Sequence, residues 1–213
     1  MIIEERYKGQ LDLLDPELCK KPIFVIGCGG IGSWTTLLLA KTGFHNITVF
    51  DDDIVEEHNV ASQFFKESDL GKLKRVALRD NVLEQTGITV LTKENMFERN
   101  IDEGIVIIAV DSMEIRIELE ELFHDKNVYI IDGRMGGLQL EIYCDEANRY
   151  KETLCDPGEV EHDLCTAKAI SFNCAVIGGF ITNYVRLYIQ GRMKREQIIY
   201  GFESATLIKL VAE

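Results

Sequence analysis

Ile23-Phe24-Val25-Ile26-Gly27-Cys28-Gly29-Gly30-Ile31-Gly32 is the stretch that decides the fold. Four apolar residues run without a break into G-x-G-x-x-G. The apolar run reads as a buried strand, and residues 32–42 read as a helix. A strand, a tight glycine turn and a helix in that order make an anion cradle. Glycine lets the backbone come close to phosphate, and the helix start offers free N–H groups and a positive dipole end. About twenty residues on, the apolar run Ile47–Phe50 leads to Asp51, where an acid can accept ribose hydroxyls. The turn alone does not choose between NAD, FAD and ATP.

Working outward, residues 88–91, 105–110 and 128–131 read as further buried strands. Residues 70–85 and Met113–Phe123 read as helices between them. Gly43 and Gly87 stand where helix C-termini favour glycine. Strand–helix alternation implies a parallel sheet, so the fold class is α/β, a Rossmann-like doubly wound sheet. After residue 132 the pattern changes. Residues 138–143 alternate apolar and polar, which suits an exposed or antiparallel strand. Residues 144–164 are polar and read as one long loop. An apolar helix comes next at 166–190, then strands at 198–202 and Thr206–Val211. The expectation is a single domain over residues 1–213, parallel strands first, antiparallel strands at the C-terminal end.

Composition narrows the function. The 213 residues are 46% hydrophobic and 28% charged, the balance of a globular chain. A net charge of -13 repels a phosphate backbone, so nucleic acid is not an expected partner. The start, Met1-Ile2-Ile3-Glu4-Glu5, lacks the basic-then-apolar order of a secretory signal. The apolar stretch 169–189 carries Asn173, Asn183 and Arg186, so it reads as a core helix and no membrane span is expected. The expected location is cytoplasmic. No two of the six cysteines have C-x-x-C spacing, so no zinc is expected.

The segment beginning at Asp51 is more specific: Asp51-Asp52-Asp53-Ile54-Val55-Glu56-Glu57-His58-Asn59-Val60-Ala61-Ser62-Gln63-Phe64, then Gly71-Lys72-Leu73-Lys74. This resembles the pattern D-x-D-x-V-x-x-x-N-x-x-R-Q, then G-x-x-K, of the ThiF/MoeB/HesA and ubiquitin-activating superfamily. Arg6-Tyr7-Lys8-Gly9-Gln10 is similar to its R-Y-x-R-Q, and Ala109-Val110-Asp111-Ser112 with Arg116 to its strand-end motif. Ile199-Tyr200-Gly201-Phe202 resembles its ending, so the likeness covers nearly the whole chain.

The resemblance implies an ATP-dependent adenylyltransferase using Mg²⁺. Its substrate would be the C-terminal carboxylate of a ubiquitin-like or sulfur-carrier protein, and it would act as a homodimer or a heterodimer. Gly27, Gly29, Gly30 and Gly32 would cradle phosphate. Asp51 would hold the ribose, with Asp53 in the same nucleotide-binding turn. Asn59 and Gln63 would hydrogen-bond ribose or phosphate. Lys74, or Lys72 in a shifted register, would meet phosphate charge. Asp111 would hold Mg²⁺. Cys165 stands where several relatives keep a cysteine that takes an acyl group or sulfur. On the residues alone Cys165 is either a helix-start thiolate or a small buried side chain. Blander readings exist for the others too: Asp52 and Asp53 as a solvated acidic turn, Asn59 as a turn residue, Lys74 as a surface lysine, and Asp111 as the N-cap of Met113–Phe123.

Two departures bear on activity. Gly9 and Ser62 stand where the family has arginines that contact ATP phosphates. Loss of such an arginine can slow phosphoryl transfer by about a thousandfold or more. Arg6, Arg75, Arg134 or a partner subunit would supply the charge, or the chain uses a different phosphate grip. The alternatives are a non-catalytic nucleotide-binding partner subunit, or an NAD-dependent oxidoreductase that leaves Asn59, Gln63, Lys74 and Asp111 without a role. Cys28 and Cys174 read as packing residues, Cys144 and Cys155 are open, and His58 and His162 read as loop residues.

Overall fold

Residues Ile23–Ile26 form strand β1, and their side chains divide between two apolar clusters. Ile23 and Val25 point into one and Phe24 and Ile26 into the other, as the two-residue period of a strand requires. The computed structural model describes residues 5–94, 101–155, 169–193 and 195–211. Within them one sheet runs in the order β3-β2-β1-β4-β5-β6-β7-β8. The other strands are β2 Ile47–Phe50, β3 Leu91–Lys93, β4 Glu103–Ile108, β5 Asn127–Gly136, β6 Gln139–Glu146, β7 Glu196–Gly201 and β8 Thr206–Val211. β3 through β5 pair in parallel, and β5 through β8 pair antiparallel. β1 lies at the centre of the parallel half, with Ile26 level with Phe50 on one side and Ile108 on the other.

The helices are α1 Gly30–Thr42, α2 Glu57–Val60, α3 Lys74–Thr86, α4 Met113–Phe123, α5 Ala147–Tyr150 and α6 Ser171–Ile189. Leu37 of α1, Leu78 of α3 and Ile177 and Ile181 of α6 cover one face of the sheet. Leu119 and Phe123 of α4 and Tyr150 of α5 cover the other. Fully burying each such side chain contributes about 1.5–3 kcal/mol relative to exposure, so both layers are firmly anchored. α6 packs closely on α1 because Gly178 sits at the crossing. A Cβ there would lie 3.1 Å from the Thr35 amide. Asn183 faces solvent on the far side of α6. No helix among the described residues is long and apolar enough to cross a membrane.

Several boundaries move. The 70–85 helix starts only at Lys74, because Gly71 takes a left-handed φ of +80° and breaks the run. The strand expected at 88–91 is displaced to Leu91–Lys93. The helix expected from residue 166 is described from Ser171. The long loop expected at 144–164 is shorter within the described residues. β6 continues to Glu146, and α5 comes next because Cys144, Ala147 and Tyr150 are all buried. Residues 156–168, which include the rest of that expected loop, lie outside the described residues.

Candidate functional site

β1 and β4 are neighbours, yet α1 leaves β1 toward one face of the sheet and α4 leaves β4 toward the other. A crevice opens at such a reversal, beyond the carboxyl ends of the strands. The glycine turn forms one lip. Gly27 has φ +94° and its N–H donates to the Phe50 carbonyl at 2.9 Å. A Cβ on Gly27 would stand 2.5 Å from the Ala109 carbonyl oxygen, and one on Gly32 would stand 1.8 Å from that of Gly27. A Cβ on Gly30 would meet Cys174 Sγ at 2.9 Å. These three glycines are demanded by the protein's own packing. Gly29 is different: the nearest atom to its Cβ position is Gln63 Nε2, at 4.0 Å. Its bare backbone leaves an open cradle at the N-cap of α1, where no side chain caps the helix.

Two further features test whether ATP fits. Gln63 Oε1 is buried without a hydrogen-bond partner. A lone acceptor takes a hydroxyl such as that of ribose, while the uncapped helix N–H groups take phosphate. Lys74 Nζ pairs with Asp53 Oδ2 at 2.8 Å; the lysine side chain is 10% exposed and the carboxylate 66%. The cation is thus held inside, with an exchangeable partner outside. Lys72 pairs instead with Asp69 at 2.9 Å. The residues present fit a nucleotide.

Asp51 sits behind the turn. Its Oδ2 accepts the Cys28 N–H at 2.7 Å and its Oδ1 the Asp53 N–H at 2.9 Å. Burial pushes its carboxyl above the usual range, opposed by those N–H bonds and the Lys74 charge. Asn59 is committed locally: its Oδ1 accepts the Glu56 N–H at 2.9 Å and caps α2, the turn-residue role. Gln63 connects to it through an N–H donated to the Asn59 carbonyl at 2.9 Å.

Asp111 lies on the opposite lip, two residues past Ala109, and is exposed. It is not the N-cap of α4. That position belongs to Ser112, whose hydroxyl accepts the Ile115 N–H at 3.1 Å. Its exposed carboxylate is of the ligand type that Mg²⁺ takes. Behind it, Arg116 and Asp132 pair at 3.1 Å, and Asp132 also accepts the Tyr150 hydroxyl at 2.9 Å. The sequence pattern includes Arg116 in a motif but passes over Asp132 and Tyr150. The available signal is a lone acid directly after the apolar run 128–131.

Of the three arginines considered as replacement charges, Arg6 donates to the Thr86 carbonyl at the far end of α3, away from the crevice. Arg134 is committed to Asp132 at 2.7 Å and the Thr153 carbonyl at 3.0 Å. Arg75 alone sits beside the turn, its Nη1 donating to the Asp51 carbonyl at 2.8 Å. Ser62 is buried and its carbonyl accepts from Trp34 Nε1 at 2.9 Å. Gly9 borders open space near the C-terminal end of α1, where Tyr7 Oη donates to the Ala40 carbonyl at 3.2 Å. Cys28, Cys144 and Cys174 are buried, and burial pushes the Cys174 thiol up to about 11. Cys165 and His162 lie outside the described residues.

Crevice, reversal and strand order define a doubly wound α/β domain. Comparison narrows the class. Residues 15–207 match the model of the ThiF family, and the chain belongs to that family. Over 156 residues it is 24% identical to ubiquitin-activating enzyme E1 1 of Candida albicans, covering 70% of this chain and 15% of that protein. Over 101 residues it is 34% identical to the NEDD8-activating enzyme E1 catalytic subunit of Arabidopsis thaliana, 44% of this chain and 22% of that one. The chain therefore matches less than a quarter of either relative. A solved structure of E. coli MccB with ATP superposes at a TM-score of 0.76 and 16% identity, over 97% of this chain and 70% of that one, a likeness of fold.

Proposed function

We propose that this chain is an adenylyltransferase that uses ATP and Mg²⁺ to activate the C-terminal carboxylate of a ubiquitin-like or sulfur-carrier protein. The observation that carries the reading is the open cradle at Gly29 beside the orphaned Gln63 Oε1. The carrier's carboxylate oxygen attacks the α-phosphorus, and the bond to pyrophosphate breaks. Mg²⁺, held through Asp111, would supply positive charge against the departing phosphates. The chain's own residues do the rest. The α1 N–H groups and Lys74 meet phosphate charge. Gln63 and Asp51 accept from ribose hydroxyls. Asp111 would contact the metal, and Arg75, bound to the Asp51 carbonyl and to Glu94, supplies the cation that Ser62 does not. The protein works as a homodimer in the cytoplasm, with a heterodimer as the other arrangement.

A second reading draws on Ser62. Its side chain is buried and uncharged, where the family pattern has an arginine. In that reading the chain binds nucleotide but transfers nothing. Calorimetry with ATP and Mg²⁺, beside NAD, on wild type and Asp111→Ala is the first test. Micromolar ATP binding that weakens about tenfold in the variant supports the site. Pyrophosphate exchange on adding a carrier supports transfer, and ATP binding without exchange supports the second reading. Tighter binding of NAD than of ATP would sink both.

A further inference from the structure

β4 ends at Ile108, so the carbonyls of residues 110–112 lie beyond its ladder. One side chain takes hold of them. Arg116, one turn into α4 and 3% exposed, donates from Nη2 to the Val110 carbonyl at 2.6 Å and from Nη1 to the Ser112 carbonyl at 3.3 Å. These are the carbonyls immediately before and after Asp111. The rest of the guanidinium is anchored on β5, where Nε donates to Asp132 Oδ1 at 3.1 Å and Nη2 reaches the Gly133 carbonyl at 3.4 Å. Asp132 is fully buried and is steadied in turn by Arg134 and the Tyr150 hydroxyl.

A buried ion pair adds little stability over apolar side chains of the same shape. A planar guanidinium fork, however, fixes the direction of several acceptors at once. Here those acceptors flank the exposed carboxylate on this lip of the crevice. We propose that Arg116 is a positioning residue for Asp111, clamping the backbone on both sides of it so that its carboxylate is directed at nucleotide-bound Mg²⁺. The inference rests on Asp111 being the Mg²⁺ contact. Arg116 itself touches neither metal nor nucleotide.

The test is ATP binding measured across a Mg²⁺ titration, on wild type, Arg116→Lys, Asp111→Ala and the double variant. Lysine keeps the charge but cannot span both flanking carbonyls and Asp132. The half-saturating Mg²⁺ concentration is expected to rise about tenfold in Arg116→Lys, with little change in ATP binding without Mg²⁺. Combining it with Asp111→Ala is expected to add nothing, because the two act through one contact. An unchanged Mg²⁺ midpoint in Arg116→Lys, whatever the loss in Tm, reduces Arg116 to a structural role and overturns the proposal. Additive effects overturn it as well. If Asp111→Ala itself leaves the midpoint in place, the reading of Asp111 fails first, and the two failures are told apart. Should Arg116→Lys not fold, Asp132→Asn goes through the same titration: a severalfold rise is expected, and no rise overturns the proposal.

Discussion

The two lips of the crevice are held in opposite ways. The turn after β1 is fixed by absent side chains: Gly27 and Gly32 leave no room for a Cβ, and the backbone packs against itself. The segment after β4 is fixed by added ones: Arg116 and Asp132 grip it from behind. The first solution is steric, within the turn at Gly32 and against β4's end at Gly27. The second is electrostatic and assembled from distant parts of the chain. The comparison teaches that the turn is held by backbone approaching backbone, whereas an exposed carboxylate such as Asp111 gains direction from the side chains beneath it.

Substitutions can break this contrast. Gly32→Ala brings a Cβ to 1.8 Å from the Gly27 oxygen and is expected to remove more than about 4 kcal/mol, read in urea unfolding. A loss under about 1 kcal/mol would show that the turn is not sterically locked. On the other lip, Asp132→Ala leaves Arg116 and Arg134 without their shared carboxylate and should cost about 3–5 kcal/mol. Finding Asp132→Ala near neutral would mean the cluster is not the clamp described. The smallest stability effect sharpens the comparison most. Gly29→Ala meets only Gln63 Nε2 at 4.0 Å, so stability should change by no more than about 1 kcal/mol while ATP binding falls at least about tenfold. ATP affinity that survives in Gly29→Ala would refute the open cradle as a phosphate seat.

The two lips also differ in how far the sequence betrays them. The glycine turn is legible because its rule acts within six residues, from Gly27 to Gly32. The buried strands are legible because apolar runs such as Ile23–Ile26 fit only between two layers. Alternation at 138–143 correctly announces the antiparallel half. The clamp is illegible. Arg116 and Asp132 are 16 residues apart and Asp132 and Tyr150 are 18 apart, so they meet only once α4, β5 and α5 have packed. Leu70 and Leu73 extend the apolar pattern of α3 backwards, so the expected start falls before Lys74, the true one. Asp69 there is tied to Lys72 and to Asn81 at 2.6 Å, which holds the preceding residues in a separate turn. The loop expected from 144 hides Ala147 and Tyr150, whose polar sequence neighbours mask their burial.

The crevice is a by-product of chain direction. It exists wherever α1 and α4 depart on opposite faces, before any side chain is chosen to furnish it. The groups that would furnish it here, Asp53, Asp111 and the rims of Gln63 and Lys74, carry almost none of the core. Evolution can therefore strip or refit such a site without disturbing the sheet that frames it. Shape and chemistry in this architecture are inherited separately, and a lineage can retain the vessel long after exchanging what it holds.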